Sequence, residues 1–209
     1  MSIVKTIIAA TARFTHFFIT MRVLNFLRRP AQVFYTSWIA NEFNKCGDDC
    51  HIGGFSQLIG AKHISLGNRI YIGKEIVWEV YDHFLDQEFQ PSLTFGNDSS
   101  FGDGGHISCI NKVTIGNGVR IGRKVFITDN SHGTSERSQL TTPAHQRPLF
   151  SKGPVIIEDY AWIGEMSCIM PGVTIGCGSI VAANSVVTKD IPPYCIAAGV
   201  PATIVRQME

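Results

Sequence analysis

The chain has 209 residues, a length suited to one domain with its own core. Apolar residues make up 44%, charged residues 17%, and the formal net charge is +1. This balance gives no reason to expect a nucleic-acid partner and indicates an ordinary globular protein.

The N-terminal forty residues are both apolar and basic. Five cations precede the first acidic residue, Glu42, namely Lys5, Arg13, Arg22, Arg28 and Arg29. The apolar run "IIAATA" is too short for a cleavable signal, and Arg13 and Arg22 interrupt every window of about 20 apolar residues that a spanning helix needs. We expect a cytoplasmic chain whose N-terminal helical segment, residues 1–45, either caps the main body or lies at the inner face of a membrane.

The six cysteines follow no secretory signal, so reduced thiols are expected. Cys46 and Cys50 lie four positions apart in "CGDDC". No second pair of Cys or His at finger-like spacing follows them, which argues against a structural zinc site.

A period of six residues organises most of the remaining chain. From Ile157 an aliphatic residue returns at every sixth position: Ile157, Ile163, Ile169, Ile175, Val181 and Val187. The same unit occurs earlier at Leu66, Ile72, Ile115, Ile121 and Ile127. Short extended segments that alternate with Gly, Asn or Asp corners predict a coil of parallel strands, whose stacked turns need a cap at each end.

The period stops after Ile127 and resumes at Val155. About 25 residues must leave the coil there, and a loop of that length is more often functional than accidental. His132, in "TDNSHGTSERS", stands at its base and is either a general base or a solvated loop histidine. Asp129 either orients that imidazole or forms a corner, because three residues along an extended chain put the two side chains on opposite faces.

The C-terminal series "IGEMSCIMPGVTIGCGSIVAANSVVTKDIPPYCIAAGVPATIVR" resembles the hexapeptide-repeat acyltransferases, which include galactoside and maltose O-acetyltransferases. Shorter stretches, "HISCINKVTIG" and "VFITDNSHG", are most similar to the branch that acetylates O-antigen, capsular and other surface polysaccharides. The resemblance implies an all-β fold, a left-handed parallel β-helix over residues 46–209 with one loop excursion over residues 133–153. It also implies a homotrimer with active sites between subunits.

The resemblance further implies the chemistry. The chain would transfer acetyl from acetyl-CoA directly to a sugar hydroxyl of a surface polysaccharide. His132 matches the family's catalytic base, an imidazole that can take up the hydroxyl proton near neutral pH. Asp129 is a second catalytic candidate. His106, Asn111 and Arg147 are candidates for contact with the sugar, and Asn111 could equally form a corner.

Seven further residues match positions near acetyl-CoA in the family: Trp162, Gly164, Glu165, Ala183, Thr188, Lys189 and Arg206. Gly164 and Ala183 would be small so that the pantetheine arm can approach the backbone. Lys189 and Arg206 would meet phosphates, although Lys189 could also be a solvated corner charge. Glu165 departs from the small polar residue that is common in relatives. No metal is expected.

Other functions share this fold. An amino-sugar N-acyltransferase would use an amine, a better nucleophile that depends less on His132. A zinc enzyme resembling γ-type carbonic anhydrases would need three converging histidines, whereas the histidines of this chain are scattered. A non-catalytic scaffold would have no reason to keep His132 and Lys189 together with the whole C-terminal series.

Overall fold

A computed structural model describes residues 2–134 and 136–209; Met1 and Ser135, the latter inside the predicted loop, lie outside the described residues. The chain begins with two helices, α1 (Ile3–Phe18) and α2 (Met21–Ile39). Thr20 caps α2 by accepting a hydrogen bond from the Val23 amide. In the described chain no single helix is long and apolar enough to cross a membrane. The two helices, bent by 65°, meet that criterion only as a pair.

Three parallel sheets form the sides of a prism. The first face contains β1 (Lys45–Cys46), β4 (Ile64–Leu66), β9 (Ser92–Phe95), β12 (Lys112–Ile115), β17 (Val155–Ile157) and β20 (Thr174–Ile175). The second contains β2 (His51–Ile52), β5 (Tyr71–Ile72), β10 (Ser100–Phe101), β13 (Arg120–Ile121), β18 (Trp162–Ile163), β21 (Ile180–Val181), β23 (Cys195–Gly199) and the antiparallel β24 (Ala202–Gln207). The third contains β3 (Phe55–Ile59), β6 (Ile76–Val80), β11 (His106–Cys109), β14 (Phe126–Thr128), β19 (Cys168–Ile169) and β22 (Val186–Val187).

These sheets confirm the predicted parallel β-helix and fit a left-handed coil. The label all-β is too narrow, because the N-terminal helices contribute 16 and 19 residues of a different structure. All six aliphatic residues of the C-terminal period, Ile157 to Val187, are fully buried, so the period marks the inward positions.

The length of one turn changes along the stack. In the C-terminal part Ile157 pairs with Ile175, as three hexads require, but earlier Ile107 pairs with Ile127, two residues more than three hexads. The earlier strands of the first and third faces are longer, and the wider turns contain larger side chains. Four rings pack against one another inside them: Phe55, Trp78, Phe95 and Phe101. A search for a period of aliphatic residues does not detect inward positions that are occupied by aromatic residues.

A ladder of side chains follows the corner between the first and second faces. The amide of Asp48 donates to Asn68 Oδ1, that of Asn68 to Asn97 Oδ1 and that of Asn97 to Asn117 Oδ1, at 2.8–2.9 Å. The amide of Asn117 then donates to Asp159 at 2.7 Å. Each side chain therefore bonds the turn before it, which fixes the stacking of the coil.

Helix α2 lies across the N-terminal edge of the second and third faces. The Gln32 side chain donates to the Ile52 carbonyl, and Thr36 Oγ1 accepts from the Ile52 amide at 3.1 Å. The Tyr35 hydroxyl accepts from the Phe55 amide at 3.3 Å. The helix thus satisfies backbone groups that an open coil end would leave without partners.

Two segments leave the coil between its third and first faces. The shorter, residues 81–91, contains the hairpin of β7 (His83–Phe84) and β8 (Gln87–Glu88). The longer, residues 129–154, contains β15 (Ser131–His132) paired antiparallel with β16 (Leu149–Phe150). We call them the short excursion and the long excursion.

Candidate active site

His132 lies on the ribbon with which the long excursion begins and ends. Ser131 pairs with Phe150 and His132 with Leu149, while the Gly133 amide donates to the Pro148 carbonyl at 2.8 Å. His132 is therefore already part of the excursion, one strand beyond the last coil strand, and not on a coil hexad as its sequence context suggests. The ribbon holds its backbone, and its side chain is exposed.

Asp129 anchors the start of the long excursion. Its fully buried carboxylate accepts hydrogen bonds from the backbone amides of Ile110 and Asn111, both at 2.9 Å. It also accepts from the Asn130 side chain at 3.0 Å and from the Cys109 thiol at 3.3 Å. Burial raises the pKa of the Cys109 thiol well above its ordinary value, and the Asp129 carboxylate adds to the shift, so the thiol remains a donor.

These four bonds favour the corner role for Asp129 over the orientation of His132. None of the hydrogen bonds to its carboxylate among the described residues comes from His132. A buried carboxylate needs several donors, and the turn at residues 109–111 provides them. The bonds support the corner role that the sequence left open for Asp129 and fix where the excursion leaves the coil, while its catalytic role stays a prediction.

The short excursion reaches the ribbon beside His132. The Phe84 ring meets the His132 imidazole edge to face, with centroids 5.6 Å apart, and the Tyr81 ring lies 6.3 Å from that of Phe84. The Gln87 side chain donates to the Leu149 carbonyl at 3.1 Å and accepts from the Leu149 amide at 2.7 Å. Gln87 therefore binds both backbone groups of Leu149, the residue that pairs with His132.

A polar cluster continues from Tyr81 along the outside of the third face. His106 Nε2 lies 3.0 Å from one oxygen of Glu79, and Gln57 donates to the other at 3.1 Å. Burial, with a further contribution from a hydrogen bond to Glu79, raises the pKa of Tyr81 to about 12. His106 thus lies in this cluster, and Glu79 links it to the aromatic pair beside His132.

The other two predicted sugar contacts take part in the structure of the long excursion. The Asn111 side chain donates to Ser151 Oγ at 3.3 Å and also lines a cavity of about 410 Å³ between the two excursions. Arg147 donates from Nε to the Thr142 carbonyl at 2.7 Å, inside the excursion. Asn111 can therefore form a corner and also contact a ligand in the cavity. Arg147 instead stabilises the loop.

A groove lies on the opposite side of the ribbon. Because side chains alternate along a strand, His132 and Leu149 point to one face of the ribbon, and Ser131 and Phe150 point to the other. The groove has a volume of about 350 Å³ and is lined on that second face by Asn130, Ser131, Gly133, Thr134, Phe150, Lys152, Met170, Pro171 and Thr188. Among the predicted cofactor residues, Thr188 lies in this groove beside the long excursion. Lys189 follows it on the exposed corner.

The other predicted cofactor residues lie on the second face and at its corner with the third. Trp162 is half exposed between Arg120 and Ile180, and Glu165 shares a groove with Arg120 and Arg123. Arg206 is exposed on β24. Within one chain this group is separated from Thr188 and Lys189 by the width of the third face.

The close stacking of coil turns explains why position 164 is a glycine. A Cβ atom at Gly164 would lie 2.4 Å from the Ala183 amide nitrogen of the next turn. Glycines at the same corner of earlier turns, Gly73, Gly102 and Gly122, meet the next turn at similar distances. Glycine is therefore required by coil stacking, and the predicted approach of a pantetheine arm is not needed to explain it.

Sequence reasoning missed Glu79, Tyr81, Phe84, Gln87 and Lys152. A signal for Tyr81, Phe84 and Gln87 was available, because no inward hexad position of the described chain falls between Val80 and Leu93. Within residues 2–134 and 136–209, no group of three His, Cys, Asp or Glu side chains is placed to hold a metal ion.

Comparison with known proteins gives a consistent family. Residues 154–189 match the bacterial transferase hexapeptide family (six repeats). WbbJ of Escherichia coli K12, provisionally named a lipopolysaccharide biosynthesis O-acetyl transferase, is 40% identical over 127 residues, 59% of this chain and 64% of its own length. The chain thus spans less than two thirds of that relative.

Two solved structures extend the comparison. A galactoside acetyltransferase in complex with coenzyme A is 26% identical, with a TM-score of 0.50 over 83% of this chain and 70% of that one. AntD, an N-acyltransferase from Bacillus cereus, has a TM-score of 0.68 over 84% and 89% of the two chains, but at 19% identity it shows the fold alone. Together with the repeat family and WbbJ, the galactoside acetyltransferase confirms the resemblance drawn from the sequence.

Proposed function

We propose that this protein, which belongs to the hexapeptide-repeat acyltransferases, moves an acetyl group from acetyl-CoA to a hydroxyl of a sugar. The observation that carries the proposal is the place of His132, exposed on a ribbon held by Asp129 on one side and by Gln87 on the other. An imidazole on a strand whose backbone is fixed, at a solvent-accessible edge, suits a general base.

The reaction we propose is a direct transfer. An imidazole nitrogen of His132 takes the proton of the sugar hydroxyl while its oxygen attacks the thioester carbonyl carbon. The tetrahedral intermediate then expels the coenzyme A thiolate, which receives the proton from the imidazolium. The sugar leaves as an acetyl ester, and the protein returns to its starting protonation.

The short excursion would bind the acceptor. The rings of Tyr81 and Phe84 offer apolar surface for the C–H face of a sugar next to the imidazole, and the Glu79 carboxylate can accept bonds from sugar hydroxyls. His106 and Gln57 hold that carboxylate in place. His106 would therefore act through Glu79 rather than on the sugar itself.

The acetyl-CoA that serves His132 would be held largely by a neighbouring copy. The groove with Thr188 faces away from the imidazole of its own chain, since Ser131 and Phe150 line it. In a homotrimer the Thr188 and Lys189 corner of one subunit can instead face His132 of the next. Lys189, Lys152 and Arg206 would supply cations for the phosphates.

The name of WbbJ supports surface polysaccharide as the acceptor class. We propose that the reaction takes part in the assembly of such a polymer, and that it occurs on the cytoplasmic side of the membrane.

Transfer is tested with labelled acetyl-CoA and three groups of acceptors: nucleotide sugars, free oligosaccharides and lipid-linked glycans. We expect label in an ester, which mild alkali releases. Label in an alkali-stable amide would replace the proposal with amino-sugar N-acylation. No transfer to any acceptor, with hydrolysis alone, would refute sugar acylation.

The shared site is tested by mixing two impaired variants at an acetyl-CoA concentration too low to saturate Lys189→Glu. His132→Ala and Lys189→Glu subunits, unfolded and reassembled together, should regain up to about a quarter of wild-type activity if each site joins two subunits, since a quarter of randomly formed interfaces has both native residues. No recovery in mixed trimers would place both residues in one subunit's site. A monomer in sedimentation would remove the interface altogether.

A further inference from the structure

The two N-terminal helices expose an apolar surface at one end of the coil stack. Every residue of α1 is exposed, and Phe17 and Phe34 retain 79% and 72% of their accessible area. We define the N-terminal apolar surface by its large members: Ile3, Val4, Ile7, Ile8, Phe14, Phe17, Phe18, Phe26, Leu27, Val33, Phe34 and Trp38. So many contiguous exposed apolar residues mark an interaction site.

Helix α2 does not need this surface for the fold. Gln32, Thr36 and Tyr35 face the coil and bond its edge, while Ile39 reaches the core. The residues of the opposite side of the helix, among them Pro30 and Phe34, line a shallow apolar groove that opens outward. One side of α2 therefore caps the coil, and the other is free to meet a partner.

Helix α1 separates apolar and cationic sides. At 100° per residue, Ile7, Phe14 and Phe18 fall on one side, and Lys5 and Arg13 on the other. The five Lys and Arg residues that precede Glu42 have no acidic residue among them. This charge attracts an anionic surface and disfavours contact with the same segment of a second copy.

Both helices can meet one flat surface. Two helices joined at a 65° bend lie in a common plane, so each can turn a side to the same bilayer. Insertion across the bilayer is disfavoured for α2, because Gln32 and Thr36 tie it to the coil and Arg22, Arg28 and Arg29 would enter the hydrocarbon.

We propose that residues 2–38 bind the surface of a bilayer that contains anionic lipid. The N-terminal apolar surface enters the headgroup region, and the cations meet the phosphates. This binding does not depend on the acetyl transfer proposed above, so the two can fail separately.

The test is cosedimentation of the full chain with phosphatidylcholine vesicles, with and without phosphatidylglycerol. We expect binding to the anionic vesicles alone, and its loss at high salt. Arg13→Glu/Arg22→Glu should weaken binding by roughly 25-fold or more, since each cation near the surface contributes about a factor of five. Lys112→Glu/Lys124→Glu, two exposed lysines on the coil, is the control with the same charge change and should bind as the wild type.

A second pair of variants tests the apolar contribution. Phe14→Ser/Phe17→Ser should reduce binding by roughly tenfold or more, while Ile204→Ser/Val205→Ser, two exposed residues at the other end of the stack, should not. Equal binding to both kinds of vesicle, or none to either, would overturn the proposal. A smaller oligomer for Phe14→Ser/Phe17→Ser, with vesicle binding unchanged, would show that a second copy covers the surface.

Discussion

The two hydrogen bonds between the Gln87 side chain and the Leu149 backbone should control the position of His132. The Gln87 side-chain amide bonds both the carbonyl and the amide of Leu149, at 3.1 and 2.7 Å. Leu149 is buried and pairs with His132 across the ribbon. A leucine at position 87 would fill similar space but leave both backbone groups of Leu149 without their partner.

The expected size of the effect follows from two lost hydrogen bonds. Each contributes about 0.5–1.5 kcal/mol, so the closed ribbon loses roughly 1–3 kcal/mol relative to an open one. If His132 acts only in the closed ribbon, and open and closed ribbons are close to balance in the wild type, kcat falls by up to roughly five- to hundredfold, because about 1.4 kcal/mol corresponds to a factor of ten. The thermal midpoint should change little, since the excursions lie outside the coil core.

Steady-state acetyl transfer at varied acetyl-CoA measures this effect. For Gln87→Leu we expect a lower kcat with an unchanged KM for acetyl-CoA, because the groove lies across the ribbon. Gln87→Glu keeps an acceptor for the Leu149 amide and loses the donor, so its kcat should be intermediate. The control is Gln90→Leu, an exposed glutamine three residues on. A kcat within twofold of wild type for Gln87→Leu, or a change confined to KM, would refute the positioning role.

Three further substitutions test other residues of the site. His132→Ala should lower kcat by roughly 10²–10⁴ with the calorimetric Kd for acetyl-CoA intact, and comparable activity would remove it from the mechanism. Lys189→Glu should raise that Kd with little loss of kcat at saturation; an unchanged Kd would leave Lys189 a solvated corner. Asp129→Asn should lower the free energy of unfolding by about 2–4 kcal/mol in a denaturant titration, because an amide cannot accept all four bonds. A stable but inactive Asp129→Asn chain would restore Asp129 as the partner of His132.

The repeat itself could be predicted from sequence because each hexad has the same requirement. An inward position excludes polar residues, and a corner favours Gly, Asn or Asp, so the pattern survives in every turn from Ile157 to Val187. The length of the early turns could not be read in this way, since Phe95 and Phe101 occupy inward positions that an aliphatic search passes over. The bonds of Asp129 could not be predicted either, because they join residues about 20 positions apart whose contact depends on that turn length.

The contact between the two excursions follows from coil geometry. The short one links the third face to the first after β6, and the long one makes the same link after β14. In the turn between them, Ile110 and Asn111 connect β11 to β12 directly. Two steps of strand spacing, about 10 Å, therefore separate the points where the excursions leave the coil. Segments that leave the same corner so close together must pack on each other, and Gln87 meets Leu149 there. An interrupted hexad pattern at positions 81–91 thus predicts which residues support His132, before any side chain is placed.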